Sequence, residues 1–408
     1  MKQGRLINFE LLWDTDLSVN VVLPKLLELE FQEAVADGVT TIFGMFLMEG
    51  IYPHDCHNQQ LFLEIKKIAD KYNLEVILLS GLGESFNNQY SIENGSILNN
   101  LPFEVIYSSY PLRVCYNIIN NIPRKSKTIN NKFLFLGGIP TRLNRIYLLS
   151  KLYENNLLIN GKWSFFIPLS QEDKNYCRNL LSHYSDEEYE TFLKNCTSSI
   201  DEKYQEMANF FQDYAPYEEG DLEKWGEIVH TDFWKNPIYI DPEVYDETSL
   251  SIISEGPNYW SPDYKFITEK TWRTIIYKHP FIFAGPPEQF RYIKQMGFET
   301  FEKYMLIQNY AQVEDEKERI ELIVKNVEHF LKHQTYHQKE IQQDIEHNFN
   351  LFLKLANDQN CLLTSLKSKY NIPDAEFSKF FSTTGYENLI RPVADLKNKF
   401  MTISVRLS

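Results

Sequence analysis

The chain has 408 residues, 43% of them apolar and 24% charged, the profile of a soluble globular protein long enough for two cores. Its net charge of −15 argues against a general nucleic-acid binder, which carries a basic face, yet leaves room for a local basic pocket. No apolar run approaches the roughly 20 residues that span a bilayer.

The start, "MKQGRLINFELLWDTDLSVN", has no long apolar stretch of the kind a secretory leader carries. Cys56, Cys115, Cys177, Cys196 and Cys361 are scattered and odd in number, which reads as reduced thiols in a cytoplasmic setting.

The first third alternates buried strands with helical patterns. "VTTIFGMFL" (39–47) reads as a strand, and "NQQLFLEIKKIADKYN" (58–73) as a helix with Leu61, Ile65 and Ile68 on one face. "LEVILLSG" (74–81) and "FEVIYSS" (103–109) follow as further strands. Apolar strands alternating with helices predict a parallel sheet with helices on its faces. The polar, basic "NNIPRKSKTINN" (120–131) reads as a linker, which bounds a first domain at 1–125.

A second domain is expected over 126–345. It opens with the strand "KFLFLGG" (132–138) and the helix "PTRLNRIYLLSKLYENN", with Pro140 near its first turn. Two glycines followed by a helix start that carries Arg142, Asn144 and Arg145 suit an anion, through free N–H groups and fixed cations. A glycine turn with solvated arginines would look the same. The acidic, aromatic stretch at 171–247 reads as an insert of helices and loops. A helical extension is expected over 346–408.

"TSLSIISEG" (248–256) reads as a strand that delivers Glu255 to its C-terminal end, where ligands of open α/β sheets sit. In "ITEKTWRTIIYKHPFIFAG" (267–285), Thr268 is placed to cap a helix starting at Glu269. Ile275 and Ile276 face the core, His279-Pro280 ends the helix, and "FIFAG" is the next strand. Glu269 and Lys270 then stand in the first turn, where a Lys can meet a phosphate and a carboxylate can accept from hydroxyls. By themselves they are equally a cap and a charge pair.

The order Glu, loop, Thr-Glu-Lys, amphipathic helix, His-Pro, apolar strand, Gly-Pro resembles the donor-binding region of the α-1,3-fucosyltransferase family. It is closer still to the fucosyltransferase-like glycosyltransferases of bacteria and large phages, in which a segment like "MGFETF" (296–301) often follows. The likeness covers about 132–304, interrupted by the acidic insert. It implies a GT-B architecture of two Rossmann-like domains facing a cleft, with the nucleotide sugar on the second and the acceptor on the first. It further implies that Lys270 and Arg145 neutralise a diphosphate, with Arg142 a further phosphate contact. Glu255 and Glu269 would contact sugar or ribose. GDP-fucose is the donor it favours, with no metal or other cofactor required.

An inverting transfer needs a general base at the C-terminal edge of the first sheet. Glu49 and Glu84 are the candidates, with Asp14 and Asp16 behind them. Asp14 and Asp16 also form an Asp-x-Asp, a short pattern frequent by chance, here without a nucleotide-binding unit before it. His329, His333 and His337 share a helix face without a HExxH glutamate, and "PHDCH" gathers His54, Asp55, Cys56 and His57 in a loop. No GxSxG, Walker A or kinase signature occurs. The function expected is transfer of a sugar to a glycan or small-molecule hydroxyl. The alternatives are a nucleotide-sugar-binding protein without turnover, or a transferase acting on modified bases in DNA.

Overall fold

The computed structural model describes residues 2–8, 22–46, 56–80, 104–107, 112, 115–116, 119, 132–138, 142–165, 171–196, 242–256, 267–374 and 377. These form a mixed α/β structure of two compact units, each built on a parallel sheet with helices. The first unit takes described residues up to position 118 and those from Lys354 onward; the second takes those between. Among the described residues no helix is long and apolar enough to cross a membrane.

The first unit runs β1 (Gly4–Asn8), α1 (Val22–Ala36), β2 (Thr41–Phe46), α2 (Cys56–Tyr72), β3 (Glu75–Ser80) and β4 (Glu104–Tyr107). Its strands lie in chain order β1-β2-β3-β4, every neighbour parallel. Their side chains alternate between two dry faces, the period a pleated strand imposes. Ile7, Ile42, Val76 and Leu78 pack under α1 and α2 with Leu27, Phe31, Ile65 and Ile68. Leu6, Phe43, Ile77 and Leu79 face the other way, against Tyr370 and Ile372. Leu27, Phe31 and Ala34 recur at helical spacing and are fully buried, and a side chain such as Phe31 contributes about 2–3 kcal/mol by leaving water.

The second unit opens with β5 (Phe133–Gly138), α3 (Leu143–Glu154), β6 (Gly161–Phe165), α4 (Gln171–Leu180) and α5 (Asp186–Asn195). It continues with α6 (Pro242–Asp246), β7 (Leu250–Ile253), α7 (Glu269–Ile276), β8 (Phe281–Phe283) and α8 (Pro287–Gln295). The long helices α9 (Glu316–His333) and α10 (Gln338–Lys369) follow. The extension expected from position 346 lies within α10 at its start, and residues from Lys354 belong to the first unit.

The second sheet has the order β6-β5-β7-β8, again all parallel. From β5 the chain passes through α3 to β6 on one side, and from β7 through α7 to β8 on the other. Crossovers that run in opposite directions from neighbouring strands mark the C-terminal ends of β5 and β7 as the point where strand order reverses, the place where open α/β sheets take their ligands. β7 and β8 are buried throughout, as a strand covered on both faces must be. α7 ends at Ile276, and Lys278, at φ 53, turns the chain into His279-Pro280. Buried His279 holds that turn to β7 with ring contacts of 2.7 Å to Ser251 Oγ and 2.7 Å to the Thr248 carbonyl.

Candidate functional site

The C-terminal edge of the second sheet gathers polar groups from four elements. Past the end of β7, Glu255 is fully buried, and its Oε1 accepts from the backbone N–H of Thr268 at 3.2 Å and from the Thr271 hydroxyl at 2.6 Å. Glu255 therefore closes the start of α7 from outside. Thr268 closes it from within, its Oγ1 accepting from Lys270 N at 3.3 Å. Burial raises the Glu255 carboxyl, against the Lys270 charge and the Thr271 hydroxyl, which lower it. Its Oε2 has no hydrogen-bond partner among the described residues, and neither do Asn144 Oδ1 and Ser254 Oγ.

Asn144, in the first turn of α3, ties two strand ends together. Its Nδ2 donates to the Glu255 carbonyl at 2.5 Å and to the Ala284 carbonyl at 2.9 Å. Gln289 of α8 adds a bond from Nε2 to the Gly256 carbonyl at 3.3 Å. Arg142 precedes α3 in extended conformation, with φ −133 and ψ 136. Its guanidinium lies so near Gly256 that a Cβ there would fall 1.6 Å from Nη1. Only glycine leaves room for that approach. α3 thus begins at Leu143, later than a helix with Pro140 near its first turn; Pro140 lies outside the described residues. The extended Arg142 is what carries the guanidinium across to Gly256.

Lys270 Nζ donates to Glu269 Oε1 at 2.8 Å, and both side chains are partly exposed. Burial pushes the Glu269 carboxyl up, but Lys270 and Arg273 outweigh it and bring it down to about 2. A small hollow beside them, between α7 and the sheet, is lined by Leu134, Leu136, Ser254, Lys270, Arg273 and Thr274. Arg145 is buried within α3 and does not line that hollow. The Glu316 carboxyl of α9 lies by the Asn144 backbone N–H at the start of α3. Burial raises that carboxyl, and Arg319 and the N–H oppose the rise.

The structure thus links Arg142, Asn144, Glu255, Thr268, Glu269 and Lys270 along one sheet edge, and leaves Arg145 on α3. Thr271, Ser254, Gly256 and Gln289 were not singled out by the sequence. Thr271 and Ser254 gain meaning only from what the sheet brings beside them, although the Ser-Glu-Gly run after a strand was a local signal. Glu49, Glu84, Asp14, Asp16, His54 and Asp55 lie outside the described residues, as do the side chains of Cys56 and His57. The rings of His329 and His333 stack with centroids 4.3 Å apart, and His337 stands beyond the end of α9. No group of three metal-ligating side chains occurs among the described residues.

No protein family, curated protein or solved structure matches the chain.

Proposed function

We propose that the chain is a glycosyltransferase of GT-B type that moves a sugar from a nucleoside-diphosphate sugar to an acceptor hydroxyl with inversion. The observation that carries this reading is the convergence of Glu255, Arg142 and Lys270 where strand order reverses. A buried carboxylate with a spare oxygen can accept from sugar or ribose hydroxyls. Cations at the same edge stabilise a departing diphosphate more than the intact donor, which is where rate enhancement comes from. The resemblance assigns Lys270 and Arg145 to the diphosphate, with Arg142 a further phosphate contact, and Glu255 and Glu269 to the sugar nucleotide. The resemblance of the Thr-Glu-Lys region favours GDP-fucose and a reaction without metal. The base would come from Glu49 or Glu84.

A thermal-shift screen over GDP, UDP, CDP and ADP sugars finds the donor, because a ligand of the folded state raises apparent stability. In calorimetry with the nucleotide so found, Lys270→Ala and Arg145→Ala each weaken binding by about tenfold, the worth of a charge-assisted contact. Unchanged affinity in both variants overturns the assignment. Mass spectrometry of donor turnover separates a transferase from a protein that only holds its nucleotide sugar.

A further inference from the structure

We infer that His329 and His333, near the end of α9, form a two-imidazole seat for a divalent ion of the late first transition row, such as copper, nickel or zinc. The seat is independent of the transferase reading. Glu316, in the first turn of α9, lies by Asn144 at the edge of the second sheet. His329 follows thirteen residues later, about 20 Å along the helix. An ion held there takes no part in chemistry at that edge.

Placement is the first support. Histidines four apart on a helix lie one above the other on a single face, the spacing from which helical metal sites draw paired ligands. Here both rings are half-buried, and their centroids are 4.3 Å apart with planes inclined at 27°. An ion about 2.0–2.1 Å from each of two nitrogens, at a right angle, holds those nitrogens about 3 Å apart. Rings already this close come to share it by side-chain rotation alone.

Ring chemistry is the second. His333 Nδ1 lies 2.8 Å from the His329 carbonyl. A carbonyl oxygen only accepts, so in the neutral ring Nδ1 carries the proton and Nε2 keeps the lone pair. Ligating histidines are held in this way: a backbone acceptor takes the other N–H, fixes the ring and makes the remaining nitrogen a better donor. His333 is therefore set in a ligating tautomer by its own helix.

The surroundings decide which ions fit. Glu328, the neighbouring carboxylate in the chain, is bonded to Lys332 at 2.6 Å. Among the described residues no third ligating side chain joins the pair, so water fills the other positions of the ion. His337 stands on the short turn after α9 with its ring against Tyr304, centroids 5.4 Å apart, and is not one of the ligands. Two imidazoles without a carboxylate suit copper, nickel and zinc, whereas magnesium and calcium require oxygen. Such an ion bridges two turns only when the helix is formed, so binding stabilises the folded chain.

The test is calorimetry of the full chain, free of any polyhistidine tag, with nickel chloride at about pH 7.5, where an ordinary imidazole is neutral. Nickel binds the parent protein, and His329→Gln and His333→Gln each weaken it about tenfold or more. Copper binds more tightly than nickel, and magnesium does not bind at the pair. Nickel also raises the melting temperature of the parent, a chelator reverses the rise, and His333→Gln shows none. Both substitutions fall on a partly exposed helix face, and melts without metal show that the variants fold. No nickel binding by the parent overturns the seat. Affinity unchanged in either variant does so as well, because the ion then sits elsewhere in the chain. A loss in His337→Gln equal to that in His333→Gln moves the ion to the turn and overturns the pairing.

Discussion

Each sheet carries a carboxylate at one of its ends, and the ends are opposite. In the first unit Glu75 begins β3 beside Thr41 at the start of β2. It is 40% exposed, and it is bonded to the Thr41 hydroxyl at 2.8 Å and to Lys2 at 2.9 Å. In the second unit Glu255 follows the end of β7, is fully buried, and keeps one oxygen without a partner among the described residues. Among those residues the first unit buries the polar side chains of Thr41 and Gln359, while the second buries Asn144, Ser254, Thr271, Arg273 and more. A sheet wound in one direction has no reversal at which strand ends splay apart, whereas the order β6-β5-β7-β8 has one. Asn144, Ser254, Glu255, Thr271 and Gln289 are buried at that reversal. Unpaired polar groups are tolerated in a dry interior chiefly where something else completes them.

The largest effect that sharpens this contrast comes from the apolar side. Phe43 is fully buried and meets Tyr370 edge-on with centroids 4.9 Å apart. Phe43→Ala is expected to cost about 3–5 kcal/mol in urea unfolding, the usual cost of emptying an aromatic site. Ligand affinity, measured where the variant is still folded, stays as in the parent. A matching loss of affinity would mean that the described part of the first unit shapes the ligand site as well as its own core.

Next come the two neighbouring carboxylates of the second unit, whose pH responses have opposite sign. The Glu269 carboxyl is lowered from 4.5 to about 2, so its stabilisation is full above about pH 4.5 and is lost as pH falls toward 2. Glu269→Gln therefore costs about 1–2 kcal/mol at pH 7, allowing for solvent screening at a partly exposed pair, and nothing near pH 2. The Glu255 carboxyl is raised above 4.5, so the native state holds its proton more tightly than the unfolded chain does. Its contribution is greatest below about pH 4.5 and declines as pH rises through the raised value. Glu255→Gln keeps the acceptor that Thr268 and Thr271 use and removes the ionisable group. It should therefore gain stability relative to the parent as pH increases. Urea midpoints between pH 3 and 8 read both; a Glu255→Gln variant that loses ground as pH rises would show that the buried carboxylate is ionised and paired.

Much of the scaffold was legible, for a local reason. β2, β3, β5, β7 and β8 lie inside the apolar runs that mark them, and Thr268 caps a helix that starts at Glu269, as Thr-Glu-Lys predicts. β1 and β6 escaped because "GRLIN" and "GKWSF" are five residues long and interrupted by charge. The linkage of the site was less legible. Asn144 reaches Glu255 and Ala284 across more than a hundred residues of chain, and a register between β5 and β7 brings them together. Gly256 shows the same limit. A glycine after a strand predicts a turn, yet its use here is to admit the Arg142 guanidinium from a distant loop.

That glycine supplies a smaller effect. In Gly256→Ala the new Cβ meets the far end of a flexible arginine, which can swing away, so the change in stability stays within about 0.5 kcal/mol. Arg142 is then displaced from the sheet edge, and nucleotide affinity is expected to fall about tenfold, or about 1.4 kcal/mol. Equal affinity in the two proteins would remove Arg142 from the site and leave Lys270 and its neighbours on α7 to hold the ligand.

The smallest effect tests the other end of the comparison. Burial pushes the Glu75 carboxyl up, but Lys2 and the Thr41 hydroxyl outweigh it, and the net direction is down. Its contribution is present above about pH 4.5 and is lost as pH falls through the lowered value. Because the pair is exposed, Coulomb attraction is screened and two side chains lose freedom to hold it, so Glu75→Gln should cost no more than about 0.5–1 kcal/mol. Raising salt toward 1 M should erase most of that difference, since the Debye length shrinks to about 3 Å. If Glu75→Gln instead cost as much as Glu269→Gln and ignored salt, exposure would not be what separates the two sheets. The polar ends of both would then have to be read as equally committed to holding the fold.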